Sequence, residues 1–177
     1  MKRRTILASI ALTLGCLGGP IVGAQVAAWQ EFTSREGRFS VLFPGKPLHQ
    51  EANEPSPLGE IAGHLYGVTT SPNGGFFVGY HDFPMLPNVR IDRRRALTGA
   101  RDGAIRNVQG TLETEKRLTL NGHPGREFAA SAPMGVRVRA RLYFVGNRMY
   151  SVIATGSREE LNSPDVGKFL ESFKLTR

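Results

Sequence analysis

The chain has 177 residues, of which 40% are hydrophobic, and its formal net charge is +8. This length is enough for one domain with a sizeable core. Its single cysteine is at position 16, so a fold stapled by internal disulfides is excluded, and packing and hydrogen bonds must provide the stability.

The N-terminus has the pattern of a secretory signal. Residues 2–4 are basic, residues 6–14 are almost entirely apolar, and residues 22–24 (VGA) carry the small side chains that a signal peptidase reads. We expect cleavage after Ala24. Residues 25–177 would then form a single domain that is exported to the periplasm or the extracellular space.

Other fates of this segment stay open. Cleavage after Ala28 is a second possibility. Residues 5–30 carry no charge and are long enough to span a bilayer as an uncleaved anchor, although their glycines and Pro20 suit a membrane helix poorly. Cys16, near the end of the apolar stretch, could instead carry a lipid. Membrane association is expected only through such an anchor or lipid.

The charge that remains after cleavage is modestly positive. Without the basic residues of the signal, 20 basic side chains stand against 15 acidic ones. Outside the cytoplasm, this balance suits anionic lipid head groups, cell-wall polymers or acidic proteins. We expect no nucleic-acid partner, because an exported protein rarely meets nucleic acid.

The first part of the domain reads as strands and turns. Residues 29–32 and 38–43 alternate apolar and polar side chains on either side of an Arg-Glu-Gly turn. Two prolines and many polar residues predict a surface loop over residues 48–59. Residues 61–70 and 76–83 form a predicted hairpin joined by Ser-Pro-Asn-Gly-Gly.

Two helices are predicted further along the chain. Asp92 is the expected N-cap of the first, which ends near Asn107 and carries an apolar stripe at helical spacing. Ser163 is the expected N-cap of the second, with Pro164 at its first position and Asp165 in its first turn.

Between the helices, strand patterns occupy residues 111–120, 125–130, 135–145 and 149–154. Tight turns between successive strands imply antiparallel pairing, because parallel strands need long crossovers. The prediction is an α+β fold in which two helices cover a mostly antiparallel sheet of about seven or eight strands.

Four phrases, in this order of elements, resemble the PsbP-like superfamily, which includes PsbP, DcrB, LpqN and Mog-type proteins. The phrases are residues 37–44 (GRFSVLFP), 122–128 (GHPGREF), 141–150 (RLYFVGNRMY) and 169–173 (FLESF). The resemblance covers most of residues 29–175 and implies an α-β-α sandwich. It also implies an accessory, assembly or binding role. It transfers no functional residue, because a fold does not determine a function.

Three arginines alternate with apolar residues in the longest predicted strand, namely Arg137, Arg139 and Arg141. Strand alternation places them on one face, about 6–7 Å between neighbours. A guanidinium can donate two hydrogen bonds at once to a carboxylate or phosphate, so the row is a candidate anion-binding surface. The alternative is a solvated sheet face on which the arginines pair with cross-strand carboxylates, the candidates being Glu113, Glu115 and Glu127.

A second basic cluster lies at the predicted start of the first helix, where the helix dipole disfavours positive charge. Its central members are Arg93, Arg94 and Arg95, and its outer members are Arg90, Arg101 and Arg106. Residues placed where they cost local stability can mark a functional surface. This cluster is therefore a candidate salt-sensitive contact with an envelope protein or an anionic surface. The alternatives are a soluble face without a partner and a helix that begins later.

Three potential metal ligands lie in the predicted hairpin, namely His64, His81 and Asp82. They could face one another across the two strands, but a register step of one residue would turn them to opposite faces. Because no short-spaced ligand motif accompanies them, we predict no metal and no other cofactor.

The sequence holds no Gly-x-Ser-x-Gly elbow and no cysteine beyond position 16, so we assign no catalytic residue. We expect a non-catalytic exported accessory domain that binds an envelope protein or an anionic surface. Two alternatives stay open. One is a carrier of a small apolar or lipid ligand between sheet and helix, and the other is a metal-dependent hydrolase that uses His64, His81 and Asp82.

Overall fold

The computed structural model describes residues 28–56, 59–85 and 91–177. The predicted signal, with Cys16 and the cleavage site after Ala24, lies outside these ranges, as does Arg90 of the second basic cluster. Within the ranges, no helix is long and apolar enough to cross a membrane.

Ten strands and three α-helices make up the described chain. The strands are β1 (Gln30–Ser34), β2 (Phe39–Phe43), β3 (Leu48–Ser56), β4 (Gly59–Ser71), β5 (Gly74–Asp82), β6 (Thr111–Leu120), β7 (His123–Ser131), β8 (Arg137–Val145), β9 (Arg148–Gly156) and β10 (Lys174–Leu175). The helices are α1 (Arg93–Asn107), α2 (Arg158–Leu161) and α3 (Pro164–Ser172), and a short 3-10 turn spans Pro133–Gly135.

Seven strands form one antiparallel sheet in the order β3-β4-β5-β9-β8-β7-β6. Two hairpin meanders build it. The first runs from β3 to β5, after which the chain forms α1, and the second runs back from the far edge until β9 pairs with β5. A separate three-stranded sheet has the order β1-β2-β10. The α+β class and the antiparallel pairing predicted from the turns are confirmed.

The large sheet buries an apolar layer on each face. On one face α1 covers a core that includes Leu97, Phe128 and Phe144. On the other face the small sheet and α3 cover an aromatic core whose centre, Phe39, is fully buried against Tyr66, Tyr80, Tyr150 and Phe173. The molecule therefore has three layers, with the large sheet in the middle.

Local sequence signals explain where the helices begin. The Asp92 carboxylate accepts hydrogen bonds from the backbone N–H groups of Arg94 and Arg95, at 3.0 and 3.1 Å. The Ser163 hydroxyl accepts one from the backbone of Asp165 at 3.2 Å. Both caps confirm the predictions, because a polar side chain at this position replaces a partner that the first turn lacks.

The surface loop predicted over residues 48–59 is wrong in its described part, because Leu48–Ser56 forms strand β3 along β4. The prediction of a loop depended on the prolines in this segment. Pro55 lies in a strand at the edge of the sheet, where one side of the backbone needs no partner and proline is tolerated. Helix α2 was also not predicted. It is a single turn closed by a capping box between Ser157 and Glu160.

Candidate functional site

The predicted arginine row exists, and carboxylates of the same domain contact it. Arg137, Arg139 and Arg141 follow one another along one face of β8. Arg141 Nε donates to Glu127 Oε2 at 2.7 Å, and Arg139 Nη2 donates to Glu127 Oε1 at 3.1 Å. Arg137 pairs with Glu113 on β6. This arrangement matches the cross-strand pairing given above as the alternative to an anion-binding row.

Glu127 is the centre of this network and is only 6% exposed. Burial acts to raise the pKa of its carboxyl, but the hydrogen bonds and charges of Arg141 and Arg139 outweigh burial and hold the pKa below its usual value. Lys116 lies 3.3 Å from the same carboxylate. Arg141 also donates to the carbonyl oxygen of Leu170 at 2.9 Å, which ties the sheet to α3. The row therefore joins β6, β7, β8 and α3.

The second basic cluster is more open. Arg93, Arg94 and Arg95 are exposed in the first turn of α1, and in the described chain the one carboxylate within salt-bridge distance of them is Asp92, 3.7 Å from Arg95. Arg101, which lies further along the same helix, points to the sheet instead. Its guanidinium contacts Asp102 and Glu115, both at 2.6 Å.

The three predicted metal ligands are not brought together. His64 lies opposite Tyr80 and stacks on its ring, whereas His81 lies opposite Gly63 and points to the α1 side of the sheet. Burial, with a smaller effect of His64, lowers the pKa of His81 to about 4, so its imidazole is neutral at pH 7. Asp82 holds Arg148 through contacts of 2.7 and 2.5 Å.

His64 instead meets two residues that sequence reasoning did not select. His49 Nε2 lies 3.3 Å from His64 Nδ1, and Glu51 Oε1 lies 3.8 Å from the first atom and 3.6 Å from the second. These three groups could together hold a metal ion. The missed signal is the His49-Gln50-Glu51 spacing, which places both ligands on one face only if the segment is a strand.

Aromatic stacking and a turn of the small sheet surround this group. The His49 ring stacks on Tyr66 with 4.2 Å between centroids, and the His64 ring stacks on Tyr80 with 4.5 Å. Glu36, in the turn between β1 and β2, places its carboxylate 3.6 Å from His64 Nε2. The backbone of this turn is held by Arg148, which donates to the Glu36 carbonyl oxygen at 2.7 Å.

Two cavities lie between α1 and the sheet, with volumes of ≈ 20 and ≈ 40 Å³. Their walls are mainly apolar, as a lipid carrier would require, and His81 lines the larger one. However, small-molecule sites usually measure about 300–1,000 Å³. In this conformation these cavities are far too small for a lipid.

Comparison with known proteins supports the fold. No protein-family model and no curated protein matches the sequence. Among solved structures, the chain is similar to cyanobacterial PsbP (CyanoP) from Synechocystis sp. PCC 6803, with 10% identity and a TM-score of 0.56 over 89% of this chain and 98% of that one. A putative regulator, PA94 from Pseudomonas aeruginosa, gives a TM-score of 0.38 at 10% identity, over 78% of this chain and 90% of that one. The chain has the PsbP-like fold.

Proposed function

We propose that this chain is a non-catalytic, exported binding domain that contacts an acidic envelope partner through the first turn of α1. The observation that carries the proposal is the exposure of three consecutive arginines, Arg93, Arg94 and Arg95. In the part of the chain that the structure describes, one carboxylate, that of Asp92, lies within salt-bridge distance of them. Positive charge at a helix N-terminus opposes the helix dipole, so it costs stability at this position. An acidic partner would offset that cost.

The contrast with β8 favours the helix as the contact surface. There, two of the three arginines share the buried carboxylate of Glu127, and the third pairs with Glu113. Each of the three guanidiniums therefore already has a carboxylate partner inside the domain. The guanidinium donors of Arg93, Arg94 and Arg95 face solvent, where a partner can reach them. Such exposed charges act through salt-sensitive attraction.

The non-catalytic part of the proposal rests on the sequence, which lacks a nucleophile elbow and has its one cysteine at position 16. Export rests on the basic and apolar pattern of residues 2–24. The PsbP-like fold is compatible with both, although a fold does not determine a function.

A pair of charge-matched variants tests the surface. In the first, Arg93, Arg94 and Arg95 are all changed to Glu. In the second, the scattered exposed residues Arg35, Arg117 and Arg177 are changed to Glu, so that both variants have the same net charge. Both should fold, because exposed substitutions usually change stability by less than about 0.5 kcal/mol. Glutamate in a first helical turn is even favourable.

Two measurements compare the variants. On a heparin column, used as an anionic probe, the cluster variant should elute at lower salt than the scattered variant. In the cell envelope, chemical crosslinking should give a partner product with the wild type and the scattered variant, and this product should be lost from the cluster variant. Equal elution and equal crosslinking of the two variants would reject the α1 surface.

A further inference from the structure

We propose that His49, His64 and Glu51 bind one divalent transition-metal ion, and that Glu36 positions His64 for this role. The site lies on the face of the large sheet opposite α1, between the β3–β4 hairpin and the turn that joins β1 to β2. It goes beyond the proposed function and is independent of it, because it shares no residue with the arginine surface of α1 (Arg93, Arg94 and Arg95).

The distances between the three donor atoms fit a small ion. A triangle with sides of 3.3, 3.6 and 3.8 Å has a circumscribed circle with a radius of about 2.1 Å. Zinc lies about 2.0–2.2 Å from imidazole nitrogens and carboxylate oxygens. One ion can therefore be at bonding distance from all three atoms without movement of the strands that carry them.

The surroundings of His64 resemble the support that metal-binding histidines need. Its Nδ1 faces His49 and Glu51, whereas its Nε2 lies 3.6 Å from the carboxylate of Glu36. When one ring nitrogen binds a metal, the other usually donates its proton to a carboxylate or carbonyl, which fixes the tautomer and the ring orientation. Glu36 is placed to accept that proton after a small approach.

Ring orientation determines which ligand must move. The two imidazole planes are nearly parallel, at 11°, so their nitrogen lone pairs do not yet converge on one point. Both rings stack on a tyrosine, but His64 is half-buried, whereas His49 is exposed. We therefore expect the His49 ring to turn towards the ion while His64 stays in place.

The donor set selects the class of ion. Imidazole nitrogens suit zinc, copper and nickel, whereas calcium and magnesium prefer sites made entirely of oxygen. Three protein ligands leave one position of a tetrahedral zinc site open for water or for a ligand from a partner. Binding would clip edge strand β3 to β4, because two of the ligands lie on β3 and one lies on β4.

Isothermal titration with Zn²⁺ tests the site. The protein is purified with a tag that contains no histidine and is stripped with a chelator. We expect the wild type to bind one equivalent, and we expect this binding to be lost in His49→Gln and in His64→Gln. Glu36→Gln should weaken it about 10–100-fold, the usual effect of losing an outer carboxylate. His123→Gln, which removes a distant histidine on β7, should bind like the wild type.

His49→Gln is the decisive variant, because its side chain is exposed and its loss should leave the fold intact. X-ray absorption of the zinc complex should show two imidazole ligands in the wild type. Failure of the wild type to bind zinc, or stoichiometric binding that survives in His49→Gln, would overturn the proposal. Neither result would bear on the arginine surface, whose test contains no metal.

Discussion

Two halves of the large sheet present polar side chains on the face that carries α3. These side chains have different kinds of partner in the two halves. In the half formed by β6, β7 and β8, arginines meet carboxylates, and every guanidinium of the β8 row has a partner. In the half formed by β3, β4 and β5, two imidazoles and a carboxylate lie close together, with their donor atoms 3.3, 3.6 and 3.8 Å apart. The arginines of the first half are paired within the domain, whereas the second half is arranged around a position for a cation.

The difference follows from chemistry rather than from geometry. Strand alternation places residues on one face in both halves. Arginine is always a donor and a carboxylate is an acceptor, so the β8 row closes its own bonds. Two imidazole nitrogens 3.3 Å apart, such as those of His49 and His64, need a proton or a metal between them. Cross-strand neighbours of similar polarity can thus be structural in one half and functional in the other.

Removal of the shared carboxylate should destabilise the arginine-rich half. Glu127→Ala leaves Arg139 and Arg141 partly buried without their acceptor, and we expect the unfolding free energy to fall by about 4 kcal/mol. Glu113→Ala is the control, because its pair with Arg137 is more exposed and should contribute less than about 1 kcal/mol. Urea denaturation of both variants measures the difference. Similar losses in the two would show that burial does not distinguish these pairs.

A second test concerns His81, which lies in the other half of the sheet and points to α1. The folded-state pKa of His81 is lowered from 6.5 to about 4, chiefly by burial. Between these pH values, His81 is protonated in the unfolded chain but not in the folded chain. Its contribution to the unfolding free energy is therefore fully present above pH 6.5 and is lost as the pH falls towards 4. The total loss is about 3 kcal/mol.

The variant His81→Gln isolates this effect from the titration of carboxylates. Unfolding free energies measured by urea between pH 6.5 and pH 4 should decline less steeply in the variant than in the wild type, by up to about 1.4 kcal/mol per pH unit. Parallel curves would mean that His81 is protonated as easily in the folded protein as in the unfolded chain.

The same halves show how far sequence reasoning reaches. Alternation predicted that Arg137, Arg139 and Arg141 share a face, and capping rules predicted Asp92 and Ser163 correctly. These features depend on neighbours in the chain. The pairing of Arg139 with Glu127 depends on register between strands, and the sequence could only offer candidates for it.

The histidine site could not be predicted, for two physical reasons. His49 and Glu51 lie in a segment whose prolines predicted a loop, because sequence alone did not show that the segment is at a sheet edge. His64 and His81 lie on opposite faces because β4 pairs His64 with Tyr80 and not with His81. A register shift of one residue would have reversed that outcome.

The smallest effect concerns the residue that lets His81 lie beneath α1. A Cβ on Gly63 would be 2.7 Å from His81 Nε2, closer than atoms can approach, so the buried imidazole would have to shift. We expect Gly63→Ala to lower the unfolding free energy by about 2 kcal/mol. Gly167→Ala in α3 is the matched control, because its Cβ would meet nothing within 4 Å and should add about 0.5–1 kcal/mol. Thermal denaturation of the two variants should therefore shift in opposite directions, and a stable Gly63→Ala would show that His81 can move. In that case the environments of His64 and His81 would differ less than their positions on opposite faces imply.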